Sequence, residues 1–327
     1  VWEFDATAYG QVPDRDIAPA SGLDDARLVE ACDAGERGDW GVADQLLTDI
    51  GDDWDLRYLY IANISACTHD GVERLGAWAA ADPKSANAAT LYASALAALS
   101  SGLGKGTKDL YRIVSEADAA AVKAAELAPD DPTPWAIRIY AAKGLRRPND
   151  ELRSQFAEAV RRAPLHRRAH THAYFYWHVD WCGSDELAAQ FVREQAALAP
   201  NSGMAFELRI LHMQDLWSRH LHAQRHVDDI DAFFRTGPGR PLVHEAVDAF
   251  WTGELPSAVG VDLADQNRLA WALYQAERYD EACEVWTAIG GAMTTGYPWE
   301  PYASKRDAFQ DLRKRSFANS SRQPASW

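Results

Sequence analysis

Eight of the ten histidines in this chain fall between His166 and His226. Imidazole changes charge nearest neutral pH and also ligates metals, so such a cluster is where chemistry would be sought first. His166, His170, Trp177 and Trp181 recur at intervals of 4, 7 and 4 residues, the spacing of one helix face. His172 and Val179 share a second face, and His178 points between the two. Further on, His212, Asp215, Arg219, His222 and His226 recur at 3, 4, 3 and 4. On one continuous helix they would form a polar stripe about 21 Å long. If the helices carrying these faces are neighbours, imidazole, indole and carboxylate groups would line a common pocket, with Trp217 beside them.

Three chemistries fit those residue types. The first is metal binding: His222 with His226, His166 with His170, or His178 with Cys182 are spaced to share one zinc ion. A third ligand is missing, and neither histidine pair encloses the glutamate of an HExxH motif; the intervening residues are Arg167-Arg168-Ala169 and Ala223-Gln224-Arg225. No metal or cofactor is therefore expected. The second is general acid/base catalysis by His170 or His212, oriented by Asp215 or Arg219. The third, and the one favoured, is a binding surface on which histidines and tryptophans hold a ligand without reacting with it. Cys182 is read as a structural thiol, and Asp228, Asp229 and Asp231 as solvated helix residues. Ser101–Thr107 superficially resembles a phosphate loop, but Lys105 precedes Gly106 and no strand leads into it, so it reads as an interhelix loop.

Composition narrows the function classes. The net charge is −15, from 48 acidic and 33 basic residues, and the basic runs are short. Nucleic acid is disfavoured, because binding it requires clustered cations that displace counterions. No apolar run approaches membrane-spanning length, so no membrane partner is expected. The four cysteines, Cys32, Cys67, Cys182 and Cys283, lie far apart with no CxxC. They fit small apolar residues in a reducing, cytoplasmic compartment, with two long-range disulfides left as an alternative.

The elements that must position the candidate residues are helices. Ala128-Pro129, Ala163-Pro164 and Ala199-Pro200 recur at 35 and 36 residues, and each interval holds two helical patterns. That is the mark of helix-pair repeats. The expected architecture is all-α, a right-handed α-solenoid of antiparallel helix pairs with about thirteen helices and no convincing strand. Residues 1–22 read as an extended arm whose Trp2, Phe4 and Tyr9 dock on the first helices. Residues 23–315 read as one repeat domain, and 316–327 as a loose polar tail. Gly203–Phe234 reads as one helix or two. Trp40, Trp78, Trp135, Trp271 and Trp286 occupy helix-pair packing positions. Trp177, Trp181 and Trp217 accompany the histidines.

The segment LAWALYQAERYDEACEVWTAI places Leu269, Ala270, Leu273, Tyr279, Ala282 and Trp286 where tetratricopeptide (TPR) repeats place their packing residues. Leu127-Ala128-Pro129 and Leu198-Ala199-Pro200 match the turn that closes such repeats. The chain thus resembles the TPR family. From Gly38 to near Leu211 it is also similar to uncharacterised actinobacterial TPR-like proteins, through Gly38-Asp39-Trp40, Pro132-Thr133-Pro134-Trp135, Ala169-His170 and Trp181-Cys182-Gly183-Ser184. The resemblance implies a fold and a scaffold that holds a peptide, a protein or a small ligand on its concave face. It assigns no catalytic residue.

Overall fold

The computed structural model describes residues 5–19, 25–67, 70–224, 233–234, 236–251, 261–294, 296, 298–300 and 302–322. Among them are fifteen α-helices, two more than the repeat spacing suggested. The chain divides into two compact units. One comprises Asp25–Gln195; the other joins Val1–Asp24 to Ala196–Trp327.

Within Asp25–Gln195 the helices follow as α1 (Ala26–Glu36), α2 (Gly41–Ile50), α3 (Trp54–Cys67), α4 (Gly71–Ala81), α5 (Ala86–Ser101), α6 (Lys108–Leu127), α7 (Thr133–Leu145), α8 (Asn149–Arg162) and α9 (Arg167–Trp177), with α10 (Asp185–Leu198) at its edge. Side-chain caps start four of them. Asp25, Ser85, Thr107 and His166 accept hydrogen bonds from the otherwise unpaired amides of Arg27, Ala88, Leu110 and Ala169. Consecutive helices pack as pairs from α1 to α9. Small side chains allow close approach: Ala93, Ala121 and Ile137 meet where α5, α6 and α7 converge.

The odd-numbered helices also pack on one another, α3 on α5, α5 on α7 and α7 on α9, and α3 reaches both α7 and α9. Helices α3, α5, α7 and α9 form an inner layer in which α3 and α9 touch. Arg57 of α3 stitches this layer. Its guanidinium reaches Asp131 at 2.8 Å, the Leu47 carbonyl at 2.7 Å and Asn87 at 2.5 Å, and the Arg57–Asp131 pair is almost wholly enclosed. Asp131 uses its second oxygen to accept from the Thr133 amide at 2.7 Å, at the start of α7.

Cys32 of α1 and Cys67 at the end of α3 form a disulfide. This corrects the reading of all four cysteines as small apolar residues, and it removes the ground for a cytoplasmic assignment, since disulfides persist mainly in oxidising compartments. Cys283 is buried as a free thiol. No helix among the described residues is long and apolar enough to cross a membrane.

The second unit holds α11 (Gly203–Gln224), α12 (Gly239–Phe250), α13 (Val261–Gln275), α14 (Tyr279–Ile289) and α15 (Lys305–Asn319). Its core is aromatic: Trp217, Trp271, Trp286, Trp299 and Phe309 are all buried there. The N-terminal arm belongs to this unit. Tyr9 packs on Phe317 at 5.0 Å rather than on the first helices, and Trp2 and Phe4 lie outside the described residues. A two-residue parallel pairing, β1 (Ala18–Pro19) with β2 (Ala292–Met293), ties the arm down where no strand was expected. Asn267 holds β2 in place. Its amide donates to the Ala292 carbonyl, and its oxygen accepts from the Thr294 amide and the Trp299 indole. The expected loose tail is partly ordered: α15 runs to Asn319, and the Ser321 amide donates to Asp280.

Candidate functional site

The two histidine groups fall in different compact units. In the first, His166 caps α9 through Nδ1 at 3.2 Å from the Ala169 amide, and His170 Nδ1 lies 2.9 Å from the His166 carbonyl. Both rings therefore serve their own helix. His170 is 0 % exposed and meets the Phe156 ring edge-on at 5.0 Å. Burial pushes the His166 imidazole down to about 3, with His170 and Arg168 acting in the same direction, so the ring is neutral at physiological pH. Trp177 is on the same face and lines a cleft of about 190 Å³ between α8 and α10, where the Arg153 guanidinium stands 5.1 Å over its ring. Trp181 does not continue this face, because α9 ends at Trp177.

In the second unit α11 is continuous through Trp217 as far as Gln224. Arg219 donates to Asp215 at 2.6 Å along the helix. His212 is mostly buried. Trp217 is 1 % exposed and packs among Phe234, Trp271 and Tyr302, so it is a core residue. The side chain of His222 and the whole of His226 lie outside the described residues. Among the described residues no group of three or more His, Cys, Asp or Glu side chains is placed to hold a metal ion.

A different set of polar groups converges on the inner layer of the first unit. Tyr58 of α3 hydrogen-bonds His172 Nε2 at 2.9 Å, and the His172 ring stands 5.3 Å from that of Tyr140 on α7. One turn beyond Tyr140 comes Lys143. Its Nζ lies 4.4 Å from the Tyr140 ring, 4.4 Å from Trp181 and 5.7 Å from Phe175. Lys105, on the loop between α5 and α6, places a second ammonium 4.7 Å from the same Trp181 ring. A third cation, Arg146, donates to the Trp181 carbonyl at 2.7 Å.

The loop that carries Trp181 is shaped by backbone. The Cys182 amide donates to Tyr176 O at 3.1 Å and the Gly183 amide to His178 O at 3.3 Å, folding residues 178–183 back over the end of α9. A Cβ at Gly183 would fall 2.0 Å from the Trp177 carbonyl oxygen, so only glycine permits the turn. Tyr176 fastens the neighbouring loop by donating to the Arg147 carbonyl at 2.6 Å.

The electrostatics of this cluster are unusual for so acidic a chain. Lys143 is 9 % exposed, Lys105 is the charged group that acts on it, and among the described residues no carboxylate is placed against it. Burial pushes its amine down to about 8, and the Lys105 charge adds to the effect. Burial also raises the Cys182 thiol against the pull of Arg146, which keeps it protonated and unsuited to nucleophilic attack. Tyr58 is pushed up to about 12 by burial, so it meets His172 as a phenol.

No protein-family model and no curated protein matches the chain. The TPR resemblance thus rests on sequence spacing, and the structure supports its coarser part, an all-helical protein whose helices pack in sequential pairs.

Of the cluster around Lys143, sequence reasoning selected only Trp181. Two signals pointed to the rest. Tyr140, Lys143 and Arg146 recur every three residues, and Arg168, His172 and Phe175 form the second face of α9. Periodicity registers both faces of α9 and does not say which one meets the inner layer.

Proposed function

We propose that Asp25–Gln195 is a TPR-like binding module that holds a small ligand or a peptide segment against its inner helices. Tyr58, Tyr140, Lys143, His172, Phe175 and Trp181 form the contact strip. The observation that carries this reading is Lys143, a largely buried side chain whose ammonium is set among three aromatic rings with no carboxylate against it among the described residues. Buried charges are normally paired, so a lysine left without a counter-ion suits a site completed by something outside the chain. The surrounding rings are partly exposed and supply flat apolar area, the usual makeup of a ligand pocket. Catalysis is the weaker reading. His170, the proposed acid or base in this unit, is fully enclosed, and the Cys182 thiol is protonated.

A ligand-observed NMR screen tests the module. Amino acids, dicarboxylates, sugar phosphates and short peptides would be offered to the full chain and to the Tyr140→Ala/Trp181→Ala double variant. We expect at least one saturable ligand whose signal disappears in the variant. An empty screen of the folded wild-type protein, or ligands retained by the variant, refutes the reading.

A further inference from the structure

Three cations of different origin gather around Trp181, two against its indole and one on its carbonyl. Lys143 comes from the third turn of α7, Arg146 from the cap of that helix, and Lys105 from the α5–α6 loop. Like charges brought together repel, and the repulsion is felt at Lys143, which Lys105 disfavours in its charged form. The chain carries 48 acidic residues, yet among the described residues only Asp180 is paired within this group. Its carboxylate lies 3.8 Å from Lys105 Nζ, while the Asp180 carbonyl accepts from Lys105 at 3.3 Å. Asp180 is 65 % exposed, and the same carboxylate oxygen also lies 3.8 Å from His178 Nδ1.

Arg146 adds a second, independent indication. It sits in the left-handed region at φ 52°, where α7 ends. Glycine is the residue that fits such a cap without strain, and arginine is not. The side chain held there turns toward the Trp181 loop, beside Cys182 and the two lysines. Access comes from solvent: the Lys105 side chain is 55 % exposed and Arg146 is exposed, while Lys143 forms the floor.

We propose that Lys143, Lys105 and Arg146 form an anion-binding subsite beside Trp181, which takes the carboxylate or phosphate group of a small ligand while Trp181, Tyr140 and Phe175 cover its apolar body. This rests on the binding-module reading and specifies its ligand class. An anion would offset the repulsion between the two ammonium groups and give the Arg146 guanidinium, a fork that suits oxyanions, a charged partner beside the Trp181 carbonyl it already holds. The charged and titratable groups around it include Lys143, Lys105, Arg146, Asp180, His178, Cys182 and Tyr140, and the anion would be a counter-ion for Lys143.

Thermal melting of the full chain tests the subsite. Sodium phosphate, sodium acetate and tetramethylammonium chloride are each titrated at ionic strength held constant with sodium chloride. We expect phosphate or acetate to raise the melting temperature saturably, and whichever acts at lower concentration identifies the oxyanion. Lys143→Met and the exposed-site variant Lys105→Met should each weaken the apparent affinity about tenfold or more, as loss of a charge-assisted hydrogen bond does. Lys84→Met, on an exposed loop, should leave it unchanged. The proposal falls if neither anion shifts the wild-type protein, if both lysine variants respond like wild type, or if tetramethylammonium is the only ion that stabilises. A neutral or cationic compound that passes the NMR screen and loses binding in Tyr140→Ala/Trp181→Ala would keep the module and remove the anion, so the two readings fail separately.

Discussion

Replacing Lys143 by methionine is expected to make the ligand-free protein more stable at neutral pH. The substitution keeps the unbranched stem and removes the charge. Burial lowers the amine from 10.5 to about 8, and each pKa unit is about 1.4 kcal/mol of differential stability. The charged form is thus penalised on the order of 3 kcal/mol. Attraction to the three surrounding rings returns roughly 1–2 kcal/mol. A net penalty of about 1–2 kcal/mol remains, and Lys143→Met should recover it. The sign follows from proton binding. Between about 8 and 10.5 the unfolded chain holds more protons at this position than the folded one, so the penalty is full below pH 8 and disappears as pH rises toward 10.5. Urea unfolding followed by far-ultraviolet circular dichroism, fitted with a transition for each compact unit, would measure it. Cys182 ionises in a nearby range, so both proteins should carry Cys182→Ser. We expect the variant to be the more stable at pH 7 and the difference to shrink by pH 10. A variant less stable than wild type at pH 7, or a difference that does not change with pH, would refute the account of Lys143 as an uncompensated charge. The result would also link stability to function, since a group that destabilises the empty protein is commonly kept for what it binds.

Four further outcomes are expected. His166 is held neutral at about 3, so the unit loses stability as pH falls below about 6.5, by roughly 2–3 kcal/mol between pH 6.5 and 4.5. His166→Asn retains a capping side chain and should flatten that slope in urea titrations. Asp131→Ala strands the enclosed Arg57 guanidinium and should cost about 3–5 kcal/mol, seen as a lower urea midpoint. Gly183→Ala forces the Trp181 loop away from Trp177 O; it should abolish the anion-induced melting shift while far-ultraviolet circular dichroism stays helical. Arg146→Gly relieves a left-handed arginine and should raise stability by about 1 kcal/mol, while weakening phosphate or acetate in the melting titration.

The helices were legible because their signals are local. The Pro-marked turns at 129, 164 and 200, the caps at Asp25, Ser85 and Thr107, and the alanine-rich α5 act within a few residues. The continuity of α11 was not legible, because no capping or breaking residue near Trp217 argued for either outcome. The site was harder to read. His166 and His170 share a face with Trp177 as their spacing requires, yet that face meets Phe156 and the α8–α10 cleft. The opposite face, with His172 and Phe175, meets α3 and α7. Lys105 came from a loop set aside for lacking a phosphate-binding pattern, and only the packing of α5–α7 brings it to Trp181. The destination of the N-terminal arm depended on residues almost three hundred positions away, such as Arg313, whose guanidinium reaches Asp14 at 2.5 Å.

That long reach bears on how the chain acquires its structure. The Asp25–Gln195 unit is contiguous, and its neighbours in space are mostly neighbours in sequence. It can assemble while the remainder is still being synthesised. The other unit is built from both ends: β1 needs β2, and the fully enclosed Arg313 needs Asp14. Its arm must wait, with Ile17 and Tyr9 uncovered, until β2 and α15 have emerged from the ribosome. The ordering entropy of closing that large loop falls on the last step. Maturation should therefore proceed in two stages, with the anion-binding half formed first and the discontinuous half the later and more aggregation-exposed of the two.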